Sequence, residues 1–445
     1  MQSATVDVRI RMLVQTAQQL MAEGRLDDAA RAWDQVLIAA PQHPQALYRL
    51  GQHRFFRKDI RGALELLQRA ERADPGNANV PMSLAFVYRS LGDNQNEMAA
   101  LQRALVVDPY FVPALLSKGM LLERLGRSRE AAQVYKIAVA IAPADDQLSN
   151  ELRDALIHAR DVVRTNAEAL DEHLRKRLGP IRARHAGEKL SRFDETKDVV
   201  LGTKKVYTQQ PSLLHVPHLP AIAFYDREEF PWLSKLEAAA PEIRREALHV
   251  LDSGGDDIRP YVSHDADKPL NQWVELNHSP RWSTYFLWKD GKRFDRQCQE
   301  CPITAAASEA VPVIDIPNFG PTIMYSLLAP HTTIPPHSSV TNARLVIHLP
   351  LIVPDGCRFR VGAETRPWRE GEAWVFDDTI EHEAWNDSDE HRVILMIDIW
   401  NPYLSLAERE LIGELLNGVR DYYGGERVDT ITGLPVSMEK AASEV

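Results

Sequence analysis

The stretch NARLVIHL, residues 342–349, alternates polar and aliphatic side chains along one short segment. Because successive side chains of a β-strand point to opposite faces, Arg344 and His348 share one face and the leucines and isoleucine share the other. The stretch RVILMID, residues 392–398, places Arg392 and an aspartate on one face in the same way. Buried charge is unfavourable unless it is paired or neutralised, so two such strands predict a polar cavity that receives a ligand.

Short apolar segments surround these two stretches from about residue 270 onward. Their period is close to two and turn residues separate them, which is typical of β-strands without long helices between them. Such a run indicates a closed or sandwiched antiparallel sheet, and we expect a double-stranded β-helix, or jelly roll, with flanking helices. The candidate strands are TYFLW, TIMYSLL, ARLVIHLPLIV, RFRVG, EAWVF and RVILMIDIW.

Two histidines flank the first polar strand in the sequence. His337 follows two prolines that stiffen the chain, and His382 comes 45 residues later, in a turn after EAWVF. Arg392 follows His382 by ten residues. Neutral imidazoles are good ligands for Fe(II), and an arginine is a planar partner for a carboxylate. These three residues therefore predict a site for iron and a dicarboxylate co-substrate.

The first third of the chain repeats itself every 34 residues. This period resembles the tetratricopeptide repeat, a pair of antiparallel helices, and about 4 repeats fit between residues 8 and 143. Lys58 stands where the other repeats have a turn glycine. The recurring residues are Pro41, Pro75, Pro109 and Pro143; Gly51, Ala85 and Gly119; Gly24, Gly92 and Gly126; and Trp33, Leu67, Leu101 and Tyr135.

The stretches PPHSSVTNARLVIHLPL, FDDTIEHEAWN and HRVILMIDIWNP resemble the aspartyl/asparaginyl β-hydroxylase family of Fe(II)- and 2-oxoglutarate-dependent oxygenases. The resemblance covers roughly residues 206–405 and includes FYDREEFPW, WSTYFLWKDGKR and the Gly-Cys pair at 356–357. It implies a jelly-roll dioxygenase that uses Fe(II), 2-oxoglutarate and O₂. Tetratricopeptide repeats ahead of such a domain are a known arrangement in this family.

Carried over position by position, the resemblance implies roles for five side chains of the cofactor site. His337 and His382 would bind iron. Arg392 and Ser326 would hold the distal carboxylate of 2-oxoglutarate, and His348 would contact the carboxylate next to the ketone. The resemblance also implies that Arg344 and Trp282 line the substrate side of the site.

Two positions depart from common patterns. Many related iron sites add a carboxylate to the two histidines, but the residue two after His337 is Ser339, a poor ligand, as in the hydroxylase family. Asp377 or Asp378 could in principle substitute, although acidic turn residues are usually just solvated. Val346 stands where some family members carry an arginine. Its loss removes a charge-assisted bond of about 1.5–3 kcal/mol, so another basic residue compensates or the substrate differs.

Composition excludes some partners and leaves others open. The net charge of −11, from 52 basic and 63 acidic residues, argues against nucleic acid. No apolar run approaches a membrane span, the first twenty residues do not read as a signal peptide, and three cysteines are too few for a disulfide framework. We therefore expect a cytoplasmic protein. The repeat groove predicts docking of a peptide or protein substrate, with homodimer formation as the alternative.

Four segments follow from these patterns: repeats at 1–145, a helical linker at 146–205, the hydroxylase-like domain at 206–420 and a tail at 421–445. The CxxC motif at 298–301 lacks a second Cys/His pair and a thioredoxin-like context, so we expect it to be structural.

Three functions remain in competition. The first is hydroxylation of an unactivated carbon in a recruited peptide or protein, most naturally the β-carbon of Asp or Asn. The second is hydroxylation of a small molecule or a lipid acyl chain. The third is a repeat scaffold whose barrel is vestigial, although the joint presence of the residues named above argues against it.

Overall fold

The computed structural model describes residues 2–144, 148–253, 257–264, 270–422, 427–428 and 435–436, with side chains from residue 7 to residue 422. Most of the tail predicted at 421–445 lies outside the described residues. The chain divides into two compact units, Met1–Arg192 and Phe193–Val445. No helix in the described ranges is long and apolar enough to cross a membrane.

The first unit consists of antiparallel helix pairs, which confirms the predicted repeats. Each pair ends two residues before one of the recurring prolines, because proline cannot continue a helix. The helices are α1 Gln2–Ala22, α2 Leu26–Ala39, α3 Pro44–Phe56, α4 Ile60–Ala73, α5 Asn79–Ser90, α6 Asn94–Val107, α7 Val112–Arg124 and α8 Ser128–Ile141.

Close approach within each pair depends on a small residue opposite a large one. A Cβ added to Gly51 would lie 2.7 Å from Leu67 Cγ, and one added to Gly119 would lie 2.2 Å from Tyr135 Cε1. Leu67 and Tyr135 are completely buried. The 34-residue recurrence of small and large residues thus corresponds to the packing contacts between paired helices.

The turn within each pair requires left-handed backbone. Gly24, Gly92 and Gly126 have φ of +74°, +70° and +72°, which glycine adopts without strain. Lys58, the residue in the missing slot, has φ of +62°. The turn is therefore preserved in the repeat that lacks the glycine, and it is adopted there by a residue that is strained in this region.

Two helices occupy most of the described part of the predicted linker. Helix α9, Asn150–Arg184, packs on α8 through the fully buried Leu156 and Ala159, so its first half extends the repeat unit. Helix α10 spans Ser191–Leu201.

The second unit contains a β-rich core flanked by helices. Its helices are α11 Leu233–Ala238, α12 Ala240–Asp252, α13 Asp295–Glu300, α14 Pro302–Glu309 and α15 Leu406–Tyr422. Its strands are β1 Arg259–Pro260, β2 Trp282–Lys289, β3 Lys292–Arg293, β4 Ile323–Leu328, β5 Thr332–His337, β6 Arg344–Ile352, β7 Cys357–Val361, β8 Glu364–Pro367, β9 Trp374–Phe376, β10 His382–Asn386, β11 Arg392–Trp400, β12 Arg427–Val428 and β13 Pro435–Val436.

Two antiparallel sheets form the jelly-roll core. The larger has the order β1-β2-β4-β11-β6-β9, with β3 beside β2, and the smaller has the order β5-β10-β7-β8. The sheets are not closed into a barrel, and the double-stranded β-helix prediction is confirmed in this open form. A two-residue ladder joins β12 and β13 separately.

Strand β6 separates two hydrophobic clusters, and the alternation in residues 342–349 determines which side chains belong to each cluster. Leu345, Ile347 and Leu349 belong to the cluster that packs against α11, α12 and α14. Val346 belongs to the cluster between the two sheets, together with Phe359 of the smaller sheet. Arg344, Val346 and His348 therefore face the interior of the jelly roll, as the sequence predicted for the polar pair.

Candidate active site

The two histidines lie side by side across the smaller sheet. His337 is the last residue of β5, His382 is the first residue of β10, and the two are partners in the antiparallel register. Their ring centroids are 4.0 Å apart. The sequence had placed His382 in a turn; it instead begins a strand, because the turn covers only Asp378 and Thr379 and pairing with β5 and β7 starts at the histidine.

Each imidazole is held by a carbonyl two residues earlier. His337 Nδ1 donates to Pro335 O at 2.8 Å, and His382 Nδ1 donates to Ile380 O at 3.0 Å. Since a carbonyl can only accept, Nδ1 carries the proton in both rings and Nε2 keeps its lone pair. Burial lowers the pKa of His382 to about 4. Burial, with His382 nearby, also lowers the pKa of His337 well below its usual value, so both rings are neutral.

Arg392 is a buried cation with no anionic partner among the described residues. It is 1% exposed, and no described residue forms an ion pair with it or accepts a hydrogen bond from its Nε. Its guanidinium carbon lies 5.0 Å from the ring centroid of Trp368. Burial lowers the pKa of Arg392 to about 10, which leaves it charged at neutral pH. A side chain in this state fits an anionic ligand.

Ser326 and Trp282 lie beside this arginine. Ser326 is paired in register with Ile394 of β11, two residues beyond Arg392 and on the same interior face. The Trp282 indole Nε1 donates to Ser326 Oγ at 3.1 Å, so the serine proton is free to turn towards a ligand. Trp282, expected on the substrate side, is thus in contact with the predicted 2-oxoglutarate residue, and its ring also lies 6.4 Å from that of His337.

His348 has two ring nitrogens without a hydrogen-bond partner among the described residues, although the side chain is only 4% exposed. Its ring contacts Phe376 and Phe359, with centroids 4.6 and 4.9 Å away. Burial, followed by the charge of Arg392, lowers its pKa well below the usual value. No basic residue of the described chain hydrogen-bonds His348 in place of the arginine that Val346 replaces.

Arg344 is neutralised within the protein. Its Nη1 donates to Asp398 Oδ2 at 3.2 Å and its Nη2 donates to Asp378 Oδ2 at 2.8 Å. Nη2 also donates to the hydroxyl of Ser339. Arg344 and both aspartates are buried. The predicted substrate residue is therefore the centre of an ion-pair network with two carboxylates.

The candidate third ligands have other partners. Asp377 accepts hydrogen bonds from Thr379 and Gln209 and does not line the cavity. Asp378 lines the cavity, but its Oδ2 is bound to Arg344. Among the described residues, no group of three or more His, Cys, Asp or Glu side chains could hold a metal ion. The site offers a histidine pair alone.

All seven residues predicted from the sequence line one cavity. The sequence did not indicate that Asp398 pairs with Arg344. It also did not indicate that the Trp368 ring lies against the guanidinium of Arg392. The remaining lining residues are Tyr261, Thr322, Met324, Ile334, Ser339, Val346, Phe359, Trp368, Phe376, Asp378, Ala384, Met396 and Asp398.

A second hollow adjoins His337. Its lining is mostly polar and, among the described residues, includes one carboxylate and no lysine or arginine. The lining residues are Gln210, Ser212, Gln272, Trp273, Pro336, His337, Ser338 and Glu381. Because His337 lines both spaces, the hollow adjoins the cavity, and we call it the mouth of the site.

The CxxC cysteines lie away from the cavity, in the core beneath α13 and α14. Both are buried and unpaired. Burial raises the pKa of Cys298 to about 11 and that of Cys301 to about 12, so both remain neutral thiols. This environment agrees with the structural role expected for them.

Comparison with known proteins places this site within a family. Residues 237–402 match the family model described as Aspartyl/Asparaginyl beta-hydroxylase, and residues 14–78 and 84–146 match the tetratricopeptide repeat. The C-terminal part of the chain is a domain of the aspartyl/asparaginyl β-hydroxylase family, preceded by tetratricopeptide repeats.

Two curated relatives show the extent of the similarity. Aspartyl/asparaginyl beta-hydroxylase of Homo sapiens is 26% identical over 433 residues, which are 91% of this chain and 55% of that protein. Ornithine lipid ester-linked acyl 2-hydroxylase of Rhizobium tropici is 34% identical over 191 residues, 41% of this chain and 62% of that protein. The chain spans about half the length of the human relative. A solved thermophilic tetratricopeptide protein of Thermus thermophilus is 25% identical, covering 40% of this chain and 97% of its own with a TM-score of 0.30.

Proposed function

We propose that this chain is an Fe(II)- and 2-oxoglutarate-dependent dioxygenase that hydroxylates an unactivated carbon. The observation that carries the proposal is that one cavity is lined by two adjacent neutral histidines and by a buried arginine with no anionic partner among the described residues. A vestigial barrel has no reason to keep a buried cation without an anion, because an apolar side chain there is more favourable.

The donor set fits iron. His337 and His382 would bind it through Nε2, since Nδ1 of each ring is committed to a backbone carbonyl. Such bonds fix the ring orientation and the tautomer of a metal-binding histidine. Two imidazoles leave several coordination positions for a co-substrate and water.

The remaining unmatched groups fit 2-oxoglutarate. Arg392 and Ser326 would hold the distal carboxylate, the arginine by a planar two-point contact and the serine through its free proton. His348, whose ring nitrogens have no partner among the described residues, would bind the carboxylate next to the ketone. Ligand binding therefore gives hydrogen-bond partners to groups that are buried without them.

Fe(II) with 2-oxoglutarate and O₂ supplies, when bound, an oxidant for hydroxylation of a C–H bond, with succinate and CO₂ as co-products. The protein positions the reacting carbon and excludes water. Apolar side chains between the two sheets line part of the cavity and help to exclude water: Ile334, Phe359, Phe376 and Ala384. The chain does not need a nucleophile or a general base for this reaction.

The substrate that we propose is an Asp or Asn side chain of a peptide or protein, hydroxylated at its β-carbon, with the repeats as the recruiting surface. The polar mouth supports a peptide more than an acyl chain. Hydroxylation of a lipid acyl chain is the alternative, because the chain is also similar to the acyl hydroxylase of Rhizobium tropici. Both have the same predicted cofactor chemistry.

The test is succinate formation from 2-oxoglutarate with Fe(II) and O₂, together with 2-oxoglutarate binding under argon. We expect His382→Ala to lose iron retention and Arg392→Ala to lose 2-oxoglutarate binding. His331→Ala and Arg358→Ala are matched controls, because both side chains are exposed ion-pair partners at the surface. Wild-type protein that binds no 2-oxoglutarate after iron loading would overturn the proposal in favour of the repeat scaffold.

A further inference from the structure

The cavity carries a fixed set of charges around the place where a substrate must enter. Among its described lining residues the cations are Arg344 and Arg392, and the anions are Asp378 and Asp398. These four charges sum to zero. Fe(II) and the 2-oxoglutarate dianion, which the proposed function adds, also sum to zero, so the loaded site has no excess positive charge.

Arg344, the arginine expected on the substrate side, cannot bind a third carboxylate without giving up one of the two that it holds. Arg344 already contacts Asp378 and Asp398 through its two terminal nitrogens. Around it, Val346, Met324 and Met396 line the cavity with uncharged side chains. A carboxylate brought here would add a buried negative charge next to two existing ones, which is strongly unfavourable.

Two buried polar atoms beside this network have no hydrogen-bond partner among the described residues. One is Asp378 Oδ1, which can only accept from a donor while the carboxyl is ionised. The other is the Thr322 hydroxyl oxygen, which can donate its proton. The Thr322 backbone N–H donates to Asp398 Oδ2 at 3.0 Å, the same oxygen that receives Arg344, so both atoms belong to one network.

From these observations we propose that the group recognised beside the iron is a neutral primary amide, as in an asparagine side chain, and not a carboxylate. The amide NH₂ donates to Asp378 and the amide carbonyl accepts from Thr322. A carboxylate offers two acceptors and no donor, so it matches Thr322 but opposes Asp378. The inference rests on the proposed function and narrows its substrate from Asp or Asn to Asn.

The polar mouth agrees with this assignment. Among the described residues that line the mouth, Glu381 carries the formal charge. The other polar side chains there are amides, hydroxyls, an indole and the neutral imidazole of His337. Glu381 is itself paired with Arg360 at 2.9 Å. An anionic side chain therefore meets no unpaired cation on its way past His337 in the described part of the mouth.

The test compares two degenerate peptide pools with identical flanks, one with a fixed central Asn and the other with a fixed central Asp. The full chain is immobilised, loaded with Mn(II) and 2-oxoglutarate under argon, and the retained peptide is quantified by mass spectrometry. We expect Asn peptides to be retained roughly tenfold more than Asp peptides, the ratio that about 1.4 kcal/mol produces. With Fe(II) and air, Asn peptides should also stimulate succinate formation more than Asp peptides do.

Residue-level checks use substitutions of matched shape. Thr322→Val removes the hydroxyl without changing the volume, and we expect retention of Asn peptides to fall about fivefold. Val346→Arg adds a cation and should move the preference towards Asp, whereas Val346→Leu adds none and should keep the preference for Asn. Thr322→Val needs no new charge in the core, so it remains informative if Val346→Arg does not fold.

Equal or greater retention of Asp peptides overturns the inference and leaves the dioxygenase proposal intact. The inference also fails if 2-oxoglutarate is bound but neither pool is retained above a pool with central Ala. If the iron-loaded wild-type protein does not bind 2-oxoglutarate, that result contradicts the proposed function itself and not only the preference for Asn.

Discussion

Arg344 and Asp378, 34 residues apart in the sequence, form a buried ion pair with 2.8 Å between Nη2 and Oδ2. Asp398 completes the network on the other side of the guanidinium. Both carboxylates depend on this one cation, so its removal leaves two buried negative charges in the core of the jelly roll.

Arg344→Met should destabilise the second unit by about 3–5 kcal/mol, because a buried charge that loses its partner is not resolvated. Denaturant unfolding followed by tryptophan fluorescence reports on this unit, since all tryptophans except Trp33 lie in it. Arg358→Met is the control: its pair with Asp387 is half exposed and should change stability by no more than about 1 kcal/mol. A similar small effect for both variants would mean that the buried network contributes no more than a surface pair.

Arg392→Met should have the opposite effect on stability. Arg392 has no carboxylate partner among the described residues, so a methionine of similar length removes an uncompensated buried cation. We expect the free energy of unfolding to stay the same or to rise by about 1–3 kcal/mol, while 2-oxoglutarate binding is lost. Calorimetry of 2-oxoglutarate binding and the same unfolding experiment measure the two effects, and destabilisation by several kcal/mol would contradict the unpaired state of this arginine.

Stability should depend on pH through Asp377. Burial raises the pKa of this carboxyl to about 6, above its unfolded value, so the protonated form favours the folded state. Its contribution is fully present below the unfolded pKa and is lost as pH rises through about 6. Asp377→Asn keeps the shape without titrating, so its stability relative to wild type should rise by up to about 3 kcal/mol between about pH 4 and pH 7. A constant difference across this range would show that the pKa of Asp377 is not raised.

Gly119→Ala should destabilise the repeats by about 1–3 kcal/mol, because the new Cβ would lie 2.2 Å from the Tyr135 ring and the helices must separate. Gly179→Ala is the matched control, since a Cβ there meets no atom within 4 Å and alanine favours the helix by about 0.5–1 kcal/mol. Hydrogen exchange of the α7 and α8 amides measures the effect. Unchanged protection in Gly119→Ala would show that the helix pair tolerates a wider spacing.

The repeats could be predicted well because their contacts are local and recur at one spacing. Even Lys58, which replaces the turn glycine in one repeat, has the left-handed backbone conformation of the glycines in the other repeats. The six candidate strands were found for a similar reason: they are apolar and alternate. Strands β5 and β10, which carry the two histidines, were missed. β5 contains two consecutive prolines, and β10 reads HEAWN, so neither has the apolar alternation on which the prediction depended.

The long-range part of the site could not be read from the sequence. The predicted residues meet in one cavity, but the partners of Arg344 depend on the antiparallel register that sets Asp398 opposite Val346. Trp368 comes from the connection between β8 and β9, where no period identifies an interior residue. Such contacts require the pairing of strands that are far apart in the chain, which one sequence does not specify.

Each histidine takes its ring orientation from a carbonyl two residues earlier in its own chain segment. The geometry of the pair thus requires only one cross-strand register and two local hydrogen bonds. A protein designer could transplant it as a short unit, by grafting residues 335–337 and 380–382 onto two adjacent antiparallel strands of an unrelated sheet. The same economy makes the unit sensitive to insertion: one extra residue in either strand turns an imidazole to the opposite side of the sheet.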